Sequence, residues 1–327
     1  MKAIVRDGYG PPDILALEEI AVPAVGDGDV LVRIRAASLN AFDWHMLRGE
    51  PGIVRAMAGL RAPKSRRLGA DLAGVVEAVG KNVKRFRPGM EVFGYGDGAF
   101  AEYVAEPEDH FAPIPANFTF EQAAALPMAG ISALQGLRDA GELRAGQTVL
   151  VNGASGGVGT FAVQIARALG AEVTGVCSTR NLELVRSLGA AHAVDYTRED
   201  FTRSGARYDL ILDIADTHSL ADYRRALAPE GILVSLGASG GPGQQAGTAK
   251  IMSGAVEAKV RSLLSRQKFR LYMARLTRED LVVLRDLAEA ERITPVIDRT
   301  YRLEAVPEAI RYLEKGHARG KVVVAVS

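Results

Sequence analysis

Apolar residues along the 327-residue chain change their spacing twice, and the changes mark three regions. Up to roughly position 120 the apolar runs are short and broken by Gly and Pro: residues 2–6, 29–36, 74–79, 91–93 and 101–105 read as strands of a small barrel-like β domain. From position 148 strand-like and helix-like repeats alternate. Strands are expected at 149–152, 172–178, 192–195, 208–214 and 232–236. The segments 181–188 and 220–227 between them carry apolar residues three and four apart and close at Gly189 and Gly231. Alternation at that pace, with right-handed crossovers, builds a doubly wound parallel sheet. The last region predicts helices over 278–290 and 305–316, an extended segment over 296–303 and a strand over 322–326, while 250–276 shows no deciding pattern. A return to β after the sheet is complete implies that the end of the chain packs on the first domain.

The middle region is organised around residues 148–170, TVLVNGASGGVGTFAVQIARALG. A β-branched run leads into Gly153, Gly156, Gly157 and Gly159, and a helical apolar pattern follows, stopped by Gly170. The crowding of glycines is read as the mark of a ligand: a backbone without Cβ atoms approaches a pyrophosphate closely, and the new helix turns its N–H groups and positive dipole end toward it. The spacing is G-x-S-G-G-V-G rather than G-x-G-x-x-G, although Gly156 to Gly159 keeps the final G-x-x-G. Ligand is then expected at the carboxyl ends of the strands, near Ser178, Asp195, Tyr196, Ala215 and Gly237. An NAD-preferring site places an acid at the end of its second strand. Here that strand ends Cys177, Ser178, Thr179, Arg180, and two hydroxyls with a guanidinium suit a 2′-phosphate, so NADPH is favoured over NADH. The same residues also read as a helix N-cap and a solvated arginine.

Composition removes several function classes. Lys plus Arg number 40 against 39 acids, which gives no field for nucleic acid or an anionic membrane, and no basic stripe is interleaved with aromatics. The least charged stretch, 122–137, is interrupted by Pro127, Gly130 and Gly136 and is too short to span a bilayer. With no signal-like apolar run at its start, the chain is expected to be soluble and cytoplasmic. Its single cysteine excludes an intramolecular disulfide and an all-cysteine zinc site.

Several motifs carry a family resemblance: SLNAFDWHMLRG at 38–49, GADLAGVVEAVG at 69–80, FRPGMEVFG at 86–94, GASGGVG at 153–159, CSTRN at 177–181 and GHARGKVVV at 316–324. Over essentially its whole length the chain resembles the medium-chain dehydrogenase/reductase superfamily, in its zinc-independent quinone oxidoreductase-like branch. The resemblance implies an α/β chain with a Rossmann-type doubly wound parallel sheet domain at 121–275 and a GroES-like β-barrel catalytic domain split between 1–120 and 276–327. It also implies a homodimer or homotetramer. Where the zinc-using branch has its metal ligands this chain has Asn40, Ala70 and Met128, which cannot supply thiolates and an imidazole, so no metal is expected.

Without a Lewis acid the hydride acceptor must itself be electrophilic, as quinones and α,β-unsaturated carbonyls are. The expected activity is NADPH-dependent reduction of a quinone or enone. The alternatives are a zinc-independent alcohol or carbonyl dehydrogenase and an NADPH-binding protein with little turnover. By the resemblance Asn40 lies near the nicotinamide ribose, and His45 either serves the substrate as donor or orienter or is a backbone-bonded loop histidine. Asp43 reads as a helix cap or as an orienter of Asn40, and Asp71 as a cleft or structural residue. Ser155, Gly156, Gly157 and Val158 are expected to face pyrophosphate, and Ser178, Arg180 and Tyr196 the adenosine end, with apolar packing the other reading of Tyr196. The resemblance also implies that Ser132, Leu236 and Gly237 fall near nicotinamide and its ribose, with a helix-interior serine bonded to its own backbone the other reading of Ser132. Arg319 and Lys321 match a segment near the cofactor or else form a solvated turn.

Overall fold

The computed structural model describes residues 1–236 and 266–326, and the chain divides into two compact units: 1–131 with the chain from 276 onward, and 132–275. In the first, the hub is the strand Asp29–Leu39, whose buried side chains include Val30, Val32, Ile34 and Leu39. On one flank it pairs antiparallel with Asp71–Val79. On the other, Tyr103–Pro107 takes its first half and Lys321–Ala325 its second. Register shifts between Leu31 and Val32 and between Ile34 and Ala36 bend the strand, as extra residues in a ladder do. The sheet continues through Glu91–Tyr95 to Phe111–Pro113 and, past Lys321–Ala325, to Ile297–Arg302. Phe93, Phe100, Phe111, Leu72 and Ile34 are fully buried, each contributing about 1.5–3 kcal/mol of apolar burial.

Residues 121–131 belong to this unit, beyond the boundary expected at 120, because the helix Phe120–Ala124 packs Ala123 and Ala124 onto the Asp29–Leu39 and Asp71–Val79 strands. At the end of the hub strand the backbone stays extended through Asn40 and turns into the helix Ala41–Arg48, which Gly49 closes in the left-handed region at φ 63°. This strand-to-helix step places Asn40.

The second unit is a six-stranded parallel sheet in the order His192–Asp195, Glu172–Cys177, Thr148–Asn152, Tyr208–Asp213, Leu227–Ser235, Lys268–Leu271. Strand order reverses between Thr148–Asn152 and Tyr208–Asp213, the position at which open α/β sheets bind ligands. The five strands expected from the pattern are present. The sixth, Lys268–Leu271, lies in the segment that showed no pattern; it is an edge strand that buries Phe269 and exposes Leu271, so it has no continuous apolar run to read. Among the described residues no helix is long and apolar enough to cross a membrane.

Candidate active site

In the first unit Asn40 is 8% exposed and held at both ends of its carboxamide. Nδ2 donates to Asp71 Oδ2 at 2.9 Å, and Oδ1 accepts from Lys321 Nζ at 2.5 Å. Opposite partners at the two ends determine which way the amide faces. Lys321, at the start of the last strand, also donates to Leu39 O (3.1 Å) and lies 3.7 Å from Asp71. Asp71 accepts further from Ser38 Oγ at 3.3 Å and Met128 N at 3.2 Å. Asp43 Oδ2 accepts from Asn40 N at 2.7 Å, which is the cap reading of this residue. Two carboxyls and one ammonium thus share a buried site. Burial pushes the Asp43 carboxyl up to about 7, raises Asp71 and lowers Lys321; Lys321 opposes the shift in both carboxyls and Asp71 opposes that in Lys321.

His45 sits on the helix Ala41–Arg48 rather than in a loop, stacked on Trp44 with ring centroids 3.8 Å apart. Its Nδ1 is 2.7 Å from Glu50 O. A carbonyl accepts only, so in the neutral ring Nδ1 carries the hydrogen and Nε2 is the nitrogen without one. A proton from Nε2 therefore requires the imidazolium.

In the second unit the glycine turn joins Thr148–Asn152 to the helix Gly157–Ala168. Two of its glycines answer to the fold itself. Gly153 adopts φ 92°, and a Cβ on Gly159 would lie 2.1 Å from Gly153 O. This corrects the expectation that only a ligand accounts for the glycines. Gly156 differs: a Cβ there would meet only Gly153 O, at 3.6 Å. The helix has Gly156 at its N-cap, no capping side chain and no acid in its first turn. Ser155, Gly156, Gly157 and Val158 are half-buried. An uncapped helix start with room for close approach fits the pyrophosphate of a dinucleotide.

Ser155 and Ser178 are tied by Asn181, whose Nδ2 donates to the two hydroxyls at 3.0 and 3.2 Å. Asn181 is 5% exposed, and its buried Oδ1 has no hydrogen-bond partner among the described residues. Thr179 Oγ1 lies 2.5 Å from Asp195 Oδ2, so of the two hydroxyls expected to meet a 2′-phosphate, that of Thr179 is already committed. Asp195 also accepts from Thr197 N and Oγ1, and these bonds, that of Thr179 foremost, hold its carboxyl below the usual range. Arg180 and Tyr196 are exposed at the ends of neighbouring strands. At the strand-order reversal Asn152 Nδ2 donates to Asp213 Oδ1 (2.9 Å), Thr217 Oγ1 (3.0 Å) and Tyr223 OH (3.1 Å). Burial raises the Asp213 carboxyl.

Residues 26–116 match the alcohol dehydrogenase GroES-like domain, and 188–324 match the family described as zinc-binding dehydrogenase. A 2-methylene-furan-3-one reductase of Solanum lycopersicum is 33% identical over 99% of this chain and 79% of its own. The chain belongs to the medium-chain dehydrogenase/reductase superfamily. Its branch is the quinone-oxidoreductase-like one, whose members are nicotinamide-dependent oxidoreductases. An Arabidopsis thaliana protein named NADPH-dependent alkenal/one oxidoreductase, chloroplastic, is likewise 33% identical, over 99% of this chain and 79% of its own. The quinone oxidoreductase of Coxiella burnetii superposes with a TM-score of 0.86 at 29% identity, over 100% and 99% of the two chains.

In this medium-chain dehydrogenase/reductase the nominated residues are distributed unevenly. Asn40 and Lys321 meet directly: Lys321, expected either near the cofactor or in a solvated turn, is 2% exposed and directed at Asn40 and Leu39. Arg319 is exposed, its N–H donating to Asp298 Oδ2 at 3.0 Å. Ser132 is half-buried on the helix Pro127–Gln135, Leu236 N donates to Asp213 O, and Gly237 lies outside the described residues. Asn152, Asn181 and Asp213 were not singled out. Each stands at a strand or helix end, where a polar residue usually reads as a cap, and only pairing across strands shows that they converge. Positions 40 and 128 meet at Asp71, and Ala70 precedes it; among the described residues no group of three or more His, Cys, Asp or Glu is placed to hold a metal ion.

Proposed function

We propose that this protein is an NADPH-dependent, zinc-independent reductase of quinones or α,β-unsaturated carbonyls. The observation that carries the reading is the Asn40–Asp71–Lys321 network. Where the zinc-using branch holds a Lewis acid, this chain has a carboxamide of determined orientation, supported by a buried ammonium and carboxylate. Such a group stabilises developing charge by hydrogen bonding alone, which suits an acceptor already activated by conjugation. The names of the Solanum and Arabidopsis relatives, 2-methylene-furan-3-one reductase and NADPH-dependent alkenal/one oxidoreductase, agree with that acceptor class.

The backbone of Ser155, Gly156, Gly157 and Val158 would hold the pyrophosphate, Ser178 and Arg180 the 2′-phosphate, and Tyr196 the adenine. When bound, the nicotinamide supplies hydride at C4. Asn40 keeps its second Nδ2–H for ribose or acceptor oxygen, and His45 orients the acceptor from the same helix, donating a proton only as imidazolium. The protein is proposed to act as a homo-oligomer.

NADPH oxidation, followed by absorbance across quinones, enones, aldehydes and ketones with NADH in parallel, tests the reading. The expected result is NADPH-preferring turnover of conjugated acceptors. Turnover confined to simple carbonyls would favour the alcohol or carbonyl dehydrogenase, and tight NADPH binding without turnover would favour a binding protein. Arg180→Ala is expected to weaken NADPH by about 1.5–3 kcal/mol while sparing NADH; equal losses for both would remove the 2′-phosphate assignment.

A further inference from the structure

Asn181 ends the short helical turn Thr179–Asn181 that follows the strand Glu172–Cys177, and its backbone N–H closes that turn on Ser178 O at 2.8 Å. Its side chain reaches further. The two Nδ2 hydrogens go to two serines: Ser155, one residue before the N-cap of the helix Gly157–Ala168, and Ser178 at the strand end. A serine hydroxyl has one hydrogen and two lone pairs. Each of these hydroxyls accepts from Asn181, so a lone pair is used and the hydrogen is left to give. Neither donates to another group among the described residues, and both serines are only half-buried. The acid at the adjacent strand end does not compete for them, because Asp195 takes its hydrogens from Thr179 and Thr197.

The residue type matters as much as the position. An aspartate here would take both hydroxyl hydrogens and leave only lone pairs for a ligand, which a phosphate oxygen does not accept from. A lysine would donate to both, but it would put a charge where the side chain is 5% exposed. A carboxamide donates to both without one.

We propose that Asn181 is a positioning residue for the cofactor: it fixes two hydroxyls as hydrogen-bond donors, that of Ser155 to the pyrophosphate and that of Ser178 to the 2′-phosphate. This rests on the NADPH reading of the site, and it adds the side chain of Ser155 to the groups that hold the pyrophosphate. One amide then serves two phosphates, each of which gains a donor whose direction is set before the ligand arrives.

The test is calorimetric binding of NADPH and NADH to Asn181→Leu, Ser155→Ala, Ser178→Ala, the double serine variant and the triple variant. Asn181→Leu is expected to weaken NADPH by about 10-fold, the scale of one hydrogen bond to a charged group. NADH should lose less, since it has no 2′-phosphate for Ser178. Ser155→Ala should weaken both cofactors alike, and Ser178→Ala NADPH alone. The cycle decides: once both serines are alanine, Asn181→Leu should bring no further loss, because it acts only through their hydroxyls. A merely structural Asn181 would lower affinity by the same factor in either background and would overturn the proposal. If Asn181→Leu does not fold, Asn181→Asp takes its place. It withdraws both hydroxyl hydrogens, so the serine substitutions should cost nothing more in that background; losses as large as in the native chain would overturn the proposal. Adenosine 2′,5′-bisphosphate, which carries both kinds of phosphate contact and no nicotinamide, reads the site apart from turnover. Its weakening by Asn181→Leu, in a protein that reduces no acceptor, would sustain the positioning role and remove the reductase reading. NADPH-dependent turnover with unchanged cofactor affinities in Asn181→Leu would leave the reductase reading and overturn the positioning role.

Discussion

Asn40 is an ordinary carboxamide whose usefulness comes from its partners. With Lys321 at one end and Asp71 at the other it cannot flip, and the unpaired Nδ2–H has a determined direction. Lys321→Met is expected to leave Asp71 buried beside no cation and to destabilise the protein by about 3–5 kcal/mol in denaturant unfolding. The loss should grow as pH rises above the ordinary carboxylate range, because burial raises the Asp71 carboxyl and only its ionised form needs the ammonium. Asp43 gives a second, separable pH effect. Its carboxyl rises from the ordinary 3.8 to about 7 on folding. Between those values the folded state keeps a proton that the unfolded state has lost, so the contribution of Asp43 to stability is present at low pH and declines as pH rises toward 7. The decline is at most about 1.4 kcal/mol per pH unit. Asp43→Asn should flatten it, with thermal unfolding at several pH values as the measurement; an unchanged slope would assign the dependence to other groups.

Among the elements, the glycine turn separates fold from binding within a few residues. Gly159 has its own chain in the way, since a Cβ there would lie 2.1 Å from Gly153 O, so Gly159→Ala should cost stability whether or not a nucleotide is present. Gly156→Ala adds a methyl group into open space on a backbone with φ −83°, which any residue adopts. Its stability should stay within about 1 kcal/mol of the native chain, while NADPH affinity falls because the pyrophosphate is held off the helix start. Calorimetric binding beside thermal unfolding distinguishes the two. Equal stability losses in both variants would show that the turn needs all its glycines for folding. The same element shows the role of Asn181, which joins the turn to the next strand end through Ser155 and Ser178, so that the two halves of the proposed cofactor site are set in one place.

For the whole molecule the sharpest expectation concerns metal. The positions that the family resemblance matches to zinc ligands hold Asn40, Ala70 and Met128, and among the described residues no group of three or more His, Cys, Asp or Glu is placed to hold a metal ion. Dialysis against a chelator is therefore expected to leave both Tm and turnover unchanged, whereas NADPH at one hundred times its Kd should stabilise by about 2.7 kcal/mol through binding the folded state alone. A chelator-dependent fall in either would reinstate a metal.

The strands of the second unit, its glycine turn and the β character of the first region were legible in the sequence, because burial on one or both faces imposes a period that short-range spacing records. So was the family, carried by motifs such as SLNAFDWH and GASGGVG. The edge strand Lys268–Leu271 was not, since an edge buries too little to leave a pattern. Tertiary structure alone decided which polar residues act together. Lys321 lies 281 positions from Asn40 and 250 from Asp71, and nothing local distinguishes it from a solvated turn lysine. Its burial follows from the last strand pairing with Asp29–Leu39. Spacing along a chain reports the face on which a residue lies, while partnership between distant charges depends on how the sheets close, a property of the whole fold.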